Sequence, residues 1–235
     1  LKDPAAVGLV LAAGFDAVVV DREHGVMGAE TAAGLVTAAH AAGGLALVRI
    51  PALERSHVQD ALEAGADGIL APMVDDPEAA AQLAAWCRYP PEGTRGFHPL
   101  TAASGHGRVP AGAHPARSNA RVLVAAQVET AAGLAACEQV ARVPGIDLLF
   151  LGPGDLALSL GVSPGDPALA AAAARISSAA RAAGKIFGAF VRDGTAAREA
   201  HGLGASLLVA SADVALLHGA ARALASELPP GGARA

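Results

Sequence analysis

The stretch Phe15–Gly28, FDAVVVDREHGVMG, begins as a buried strand and ends as something else. Val18, Val19 and Val20 have the β-branched character of a sheet interior. Asp21, Arg22, Glu23 and His24 then follow at once, and the chain turns at Gly25. An apolar strand with little alternation suggests coverage on both faces, as in parallel sheets flanked by helices. Polar groups gathered at its C-terminal end suggest an active-site rim.

The same pattern repeats outward from this point. Further strands are predicted at 45–50, 68–74, 122–129, 146–151, 185–191 and 205–211. Helical patterns lie between them near 28–42, 56–64, 77–87, 130–140, 167–183, 195–201 and 213–226. Repeated strand–helix units imply parallel strands with right-handed crossovers. The expected fold is α/β, an eight-stranded (β/α)₈ TIM barrel whose first strand is missing or poorly represented, because the chain opens on a helix-like segment. A doubly wound open sheet is the competitor, weakened by the absence of a glycine fingerprint after the first visible strand. No linker divides residues 1–235, so one domain is expected.

One segment breaks the rhythm. Residues 89–121, YPPEGTRGFHPLTAASGHGRVPAGAHPARSNAR, are crowded with proline and glycine. A long loop without structure inside a compact domain is expected to be a lid, a binding loop or a mobile excursion.

Composition narrows the function. There are 17 Lys and Arg against 22 Asp and Glu, a net charge of −5, and aromatics make up 3 % of the chain. That balance argues against a nucleic-acid surface. No apolar run is long enough to span a bilayer and no secretory leader is recognisable, so a soluble cytoplasmic protein is expected. Cys87 and Cys137 read as small buried hydrophobes in a reducing compartment.

The strand ends carry the candidate site. Asp21, Glu23 and His24 follow the first visible strand, and Arg49 sits on the second. Gln127 and Glu129, two apart, share one face of the fourth, and Asp155 lies just past the fifth in LGPGDL. Singly, each has an ordinary reading: a helix cap, a structural ion pair, a loop histidine. Jointly they converge on one rim. Glu129 and Asp155 suit a hard, oxygen-preferring cation such as Mg²⁺ or Mn²⁺. Arg49 offers a forked donor for a carboxylate or a developing oxyanion. His24, with Asp21 close enough to orient its ring, is the natural general base. The only lysines are Lys2, near the start of the chain, and Lys185, at the wrong end of its strand. Schiff-base chemistry is therefore disfavoured and metal–enolate chemistry remains.

The ordered motifs GFDAVVVDREHG, LVRIP, EAGADGILAPMVDDPEAA, RYPPEGTRGF, QVETAAGL and PGIDLLFLGPGDLALSLG together resemble the HpcH/HpaI family of class II, metal-dependent pyruvate aldolases. That family includes 4-hydroxy-2-oxo-heptanedioate aldolase and 2-dehydro-3-deoxyglucarate aldolase, relatives of the citrate lyase β subunit. The resemblance covers nearly the whole chain. It implies a (β/α)₈ barrel, an Mg²⁺, Mn²⁺ or Co²⁺ ion, and reversible cleavage of 4-hydroxy-2-oxo acids to pyruvate and an aldehyde. By the same resemblance, Glu129 and Asp155 would hold the metal, and Gln127 with the backbone at Gly154 would contact the pyruvate portion. Arg49 would stabilise the enolate oxygen, and His24, paired with Asp21, would be the base. Glu63 stands where the family has an acid that raises the basicity of this histidine. It is expected at the end of a helix on the far face of its own barrel, so it would act across a subunit contact; a solvated helix carboxylate is the alternative.

Three departures accompany the likeness. The family's first strand has no counterpart before Leu1. Thr101 stands where relatives often place an arginine in the lid, and Arg22 and Gly25 within DREHG leave the aldehyde pocket undefined. Two further readings keep the same residues: an acyl-CoA lyase or decarboxylase of the citrate lyase β type, or a non-catalytic barrel that binds a 2-oxo acid. A homo-oligomer, possibly a hexamer, is expected, with the Ala-rich helices supplying flat apolar faces.

Overall fold

A computed structural model describes residues 1–229. Seven strands form one sheet in chain order, every neighbouring pair parallel. They are β1 Ala17–Asp21, β2 Leu45–Arg49, β3 Gly68–Ala71, β4 Leu123–Val128, β5 Leu148–Leu151, β6 Ile186–Val191 and β7 Leu207–Ala210. Together they make a nearly closed barrel, with β1 and β7 as its unpaired edges among the described residues. Strands β2 to β7 each fall inside a predicted span.

The helices are α1 Pro4–Ala12, α2 Ala29–Ala41, α3 Arg55–Glu63, α4 Pro77–Cys87, α5 His114–Asn119, α6 Ala131–Ala141, α7 Pro153–Leu160, α8 Pro167–Ala182, α9 Gly194–Gly202 and α10 Asp213–Glu227. Several begin on a side-chain cap that satisfies an otherwise orphaned N–H. Asp76, Thr130 and Asp166 accept from the backbone of Ala79, Gly133 and Ala168.

Two apolar layers hold the barrel. Leu70, Ala125, Leu148 and Phe150 fill its interior, packed by Val19, Leu123, Leu207 and Val209. A larger cluster between strands and helices includes Val36, Val48, Ile69, Leu83, Leu149 and Ile176, all fully buried. Removing a ring such as that of Phe150 would cost about 3–5 kcal/mol. With the interior packed, function is confined to the two ends.

The 89–121 segment differs from the expected structureless loop. It contains a 3₁₀ turn at Ala102–Ser104 and the helix α5. Its start is tied to its end: Asn119 Oδ1 accepts from the Tyr89 N–H at 2.8 Å, and Asn119 Nδ2 donates to Tyr89 O at 3.0 Å. The Tyr89 hydroxyl lies 3.2 Å from His114 Nε2, and both residues are buried. Connectivity also rules out a lid over this chain's own strand ends. The segment leaves the C-terminus of α4 and enters the N-terminus of β4, so it packs at the N-terminal end of the barrel.

Candidate active site at the C-terminal strand ends

Parallel register brings the first pair together. Asp21, the last residue of β1, lies opposite Arg49, the last residue of β2. In-register residues project on the same face, so a carboxylate meets a guanidinium. Arg49 Nε and Nη2 donate to Asp21 Oδ1 and Oδ2 at 2.8 and 2.6 Å, a bidentate fork. The Glu23 and His24 backbone N–H groups also donate to Asp21 Oδ1, at 3.0 and 3.3 Å. Burial would raise the Asp21 pKa, but the Arg49 hydrogen bonds and charge, with those two N–H groups, hold it below its ordinary value.

Asp21 is therefore committed to Arg49 and to the turn, and its contact with His24 is through the backbone, not the ring. The acid nearest the imidazole is Glu23, whose Oε2 lies 3.9 Å from His24 Nε2 and 3.1 Å from Arg49 Nη1. Burial pushes the Glu23 pKa up; Arg49 and His24 oppose this, while Asp21 and Asp155 add to it. Sequence reasoning placed Glu23 in this loop but gave it no role. The spacing that paired Gln127 with Glu129 also pairs Asp21 with Glu23, and would have marked it. Gly25 closes the loop: a Cβ there would sit 2.1 Å from the Asp21 carbonyl oxygen.

Glu129 is buried at the end of β4. Its Oε1 accepts from the Met73 N–H at 2.8 Å, and its Oε2 accepts from Gln127 Nε2. Met73 holds a left-handed φ of 51°, uncommon for a side chain of its size, at the point where its N–H meets the carboxylate. Burial raises the Glu129 pKa; the Met73 and Gln127 hydrogen bonds oppose this, and the charges of Glu23 and Asp155 reinforce it. Gln127 Oε1 is buried without a partner. Asp155 occupies the first turn of α7, where Pro153 starts the helix and Gly152 precedes it. A Cβ on Gly152 would lie 2.8 Å from Glu129 Oε2, so glycine lets this turn close over the carboxylate; beside Gly154 the space is open.

Glu63 stands apart. It ends α3, at the opposite end of the barrel from Asp21, and accepts from Gln59 Nε2 at 3.2 Å. The structure thus brings Asp21, Glu23, His24, Arg49, Gln127, Glu129 and Asp155 to one rim and leaves Glu63 outside it.

The donor set can be tested against a divalent ion. Glu129 is buried with the charges of Glu23 and Asp155 near it, and Arg49 already serves both Asp21 and Glu23. Glu129 and Asp155, hard oxygen donors without an ion-pair partner among the described residues, fit Mg²⁺ or Mn²⁺. No third His, Cys, Asp or Glu completes an all-protein cage among the described residues. Such ions commonly take one or two carboxylates and fill the remaining positions with water or substrate.

Comparison with known proteins decides the lineage. The HpcH/HpaI aldolase/citrate lyase family model matches residues 1–219. The chain belongs to this family. A hydroxypyruvate/pyruvate aldolase of Deinococcus radiodurans is 35 % identical over 230 residues, covering 96 % of this chain and 82 % of that protein. A 4-hydroxy-2-oxovalerate aldolase of Rhodococcus jostii is 38 % identical over 174 residues, 72 % of this chain and 64 % of that one. The crystal structure of an HpcH/HpaI aldolase/citrate lyase family protein from Burkholderia cenocepacia superposes with a TM-score of 0.91. It is 35 % identical, covering 97 % of this chain and 91 % of its own. The protein is thus a lyase of the class II pyruvate aldolase type, and the HpcH/HpaI family is typically dependent on a divalent metal. No helix among the described residues is long and apolar enough to cross a membrane.

Proposed function

We propose that the protein reversibly cleaves 4-hydroxy-2-oxo acids to pyruvate and an aldehyde with the help of a divalent metal ion. The observation that carries this reading is the excess of acid at the strand ends: Glu129 is buried, it and Asp155 have no ion-pair partner among the described residues, and Arg49 is already engaged by Asp21 and Glu23.

Glu129 and Asp155 would hold the ion, which supplies a Lewis acid for polarising a carbonyl oxygen. The rest falls to the chain's own groups. His24, exposed at the rim, takes the proton of the substrate's 4-hydroxyl. Glu23, 3.9 Å from Nε2, stabilises the imidazolium that results. Arg49 presents its charge toward the oxygen that turns negative as the C3–C4 bond breaks. Asp21 positions Arg49 through the bidentate fork. Gln127 and the backbone at Gly154, in the first turn of α7, receive the pyruvate portion.

Glu63 enters this scheme only from a second copy, its own barrel end being the wrong one. A homo-oligomer provides that copy. α10 supports it: the helix buries none of its residues, and Val214, Leu216, Leu217 and Leu224 are each about half exposed or more. The aldehyde borders a loop carrying Arg22 and Gly25, and identifying it needs a substrate panel. Pyruvate release from such a panel, with Mn²⁺ and then with EDTA, tests the reading. Metal-dependent release from at least one 4-hydroxy-2-oxo acid is expected, and undiminished turnover after chelation would overturn it.

A further inference from the structure

The N-terminal end of the barrel holds a buried cation that has no carboxylate within ion-pair distance among the described residues. Arg95 is only 5 % exposed. Its Nη1 donates to Ser118 Oγ at 3.0 Å, and its guanidinium carbon lies 4.6 Å from the Tyr89 ring centroid. Its Nε and Nη2 are sealed from solvent and have no hydrogen-bond partner. That edge of the guanidinium is the one Arg49 uses for its carboxylate. A buried charge is costly unless it is paired.

The acids nearby are engaged elsewhere. Asp67 accepts from His40 Nε2 and from the Ala46 N–H, both at 2.9 Å. Glu92 accepts from Asn119, and Glu63, which feels the Arg95 charge only at a distance, accepts from Gln59. Arg88, in the same RYPPEGTR stretch, makes the contrast plain. It has Asp147 Oδ2 at 2.9 Å and the Gly145 carbonyl to receive it.

Arg95 lines a cavity of about 390 Å³ between the 89–121 segment and the lower ends of α2 and α3. Arg117, Arg121, His40 and His114 line it too, with Asp67 as the sole carboxylate. Arg117 and Arg121 are exposed and make no ion pair among the described residues, so they are free to turn onto a guest.

We propose that this cavity is an oxyanion-binding site, separate from the strand-end site, that takes a small phosphate or carboxylate ion. Arg117 and Arg121 make the direct contacts, and the sealed Arg95 guanidinium supplies an uncompensated positive field behind them. Arginine forks match the geometry of both ion types. The volume suits a small ligand and not a polymer segment.

Calorimetric titration of the full-length protein with inorganic phosphate in low-salt buffer tests this, with succinate as a second probe to tell phosphate from carboxylate. Saturable binding of at least one probe is expected. It should weaken at least tenfold in the double variant Arg117→Gln/Arg121→Gln, whose exposed positions leave the fold intact. Arg95→Gln should weaken it as well; if that variant does not fold, the double variant carries the test. Glu129→Ala, which alters only the opposite end, should bind as the parent does. Absence of saturable binding by both probes would overturn the proposal. So would binding that survives in Arg117→Gln/Arg121→Gln and disappears in Glu129→Ala, which would place the ion at the strand ends.

Discussion

Arg49 and Arg95 occupy opposite ends of one barrel and opposite electrostatic circumstances. Arg49 is surrounded by acid: Asp21 takes its fork, Glu23 lies 3.1 Å from its remaining nitrogen, and its pKa rises because those charges, with Glu129, outweigh burial. Arg95 is surrounded by aromatic and neutral groups, and burial pushes its pKa down. At the strand ends carboxylates outnumber the cation that faces them, which leaves room for a metal. At the other end the cation has no carboxylate within ion-pair distance among the described residues, which leaves room for an anion. The sign of the local excess, more than the presence of an arginine, tells what each end is built to receive.

The largest effect expected from breaking this asymmetry is catalytic. Glu129→Ala should lower metal-dependent pyruvate release by about a thousandfold or more, since a Lewis acid contributes several kcal/mol to the barrier. Arg95→Met should leave the turnover number within a few-fold of the parent. Equal losses in the two variants would erase the distinction between the ends.

Stability should separate the two arginines next. Arg49→Met strands the partly buried Asp21 and Glu23 and should cost about 3 kcal/mol in urea unfolding. Arg95→Met loses a stacked cation and one hydrogen bond, about 1–2 kcal/mol, but removes a buried charge without a counter-ion. The net change should fall within about 1 kcal/mol of zero in buffer free of phosphate and carboxylates. A loss as large as that of Arg49→Met would mean that the Arg95 charge is already neutralised.

How much of this was legible beforehand follows the same division. The strand ends were readable because a parallel barrel makes sequence position equivalent to place: Asp21, Arg49, Glu129 and Asp155 each terminate or follow an apolar run. What local pattern could not specify was partnership. Asp21 turns to Arg49 because β1 and β2 pair with those two residues in register, a fact of tertiary structure. That left Glu23 as the acid beside His24. The helix α7 was missed because Pro153 and Gly154 look like breakers, although proline suits the first helical position. The 89–121 segment was least legible. Its order comes from contacts such as Asn119 with Tyr89, thirty residues apart, which no periodicity reveals.

The smallest expected effect comes from a third arginine, in open water. Arg175 on α8 forks onto Glu138 of α6, with Nε and Nη2 at 2.8 and 3.0 Å from the two carboxylate oxygens. The hydrogen bonds from Arg175 lower the Glu138 pKa to about 2. Both side chains are well exposed, 45 % and 40 %, so solvent and salt screen the pair and its contribution should stay below about 1 kcal/mol. The direction with pH is fixed by the depressed value. The stabilisation is fully present above the ordinary glutamate pKa, about 4.5, and is lost as pH falls toward 2. Comparing the parent with Glu138→Gln by urea unfolding should therefore show a small gap at pH 7 that narrows below pH 4 and shrinks in high salt. The fork is the one Arg49 makes, so the contrast isolates what partial burial adds to it. A gap at pH 7 matching that of Arg49→Met would show that geometry alone sets the strength, and the distinction drawn between the two ends would lose its electrostatic basis.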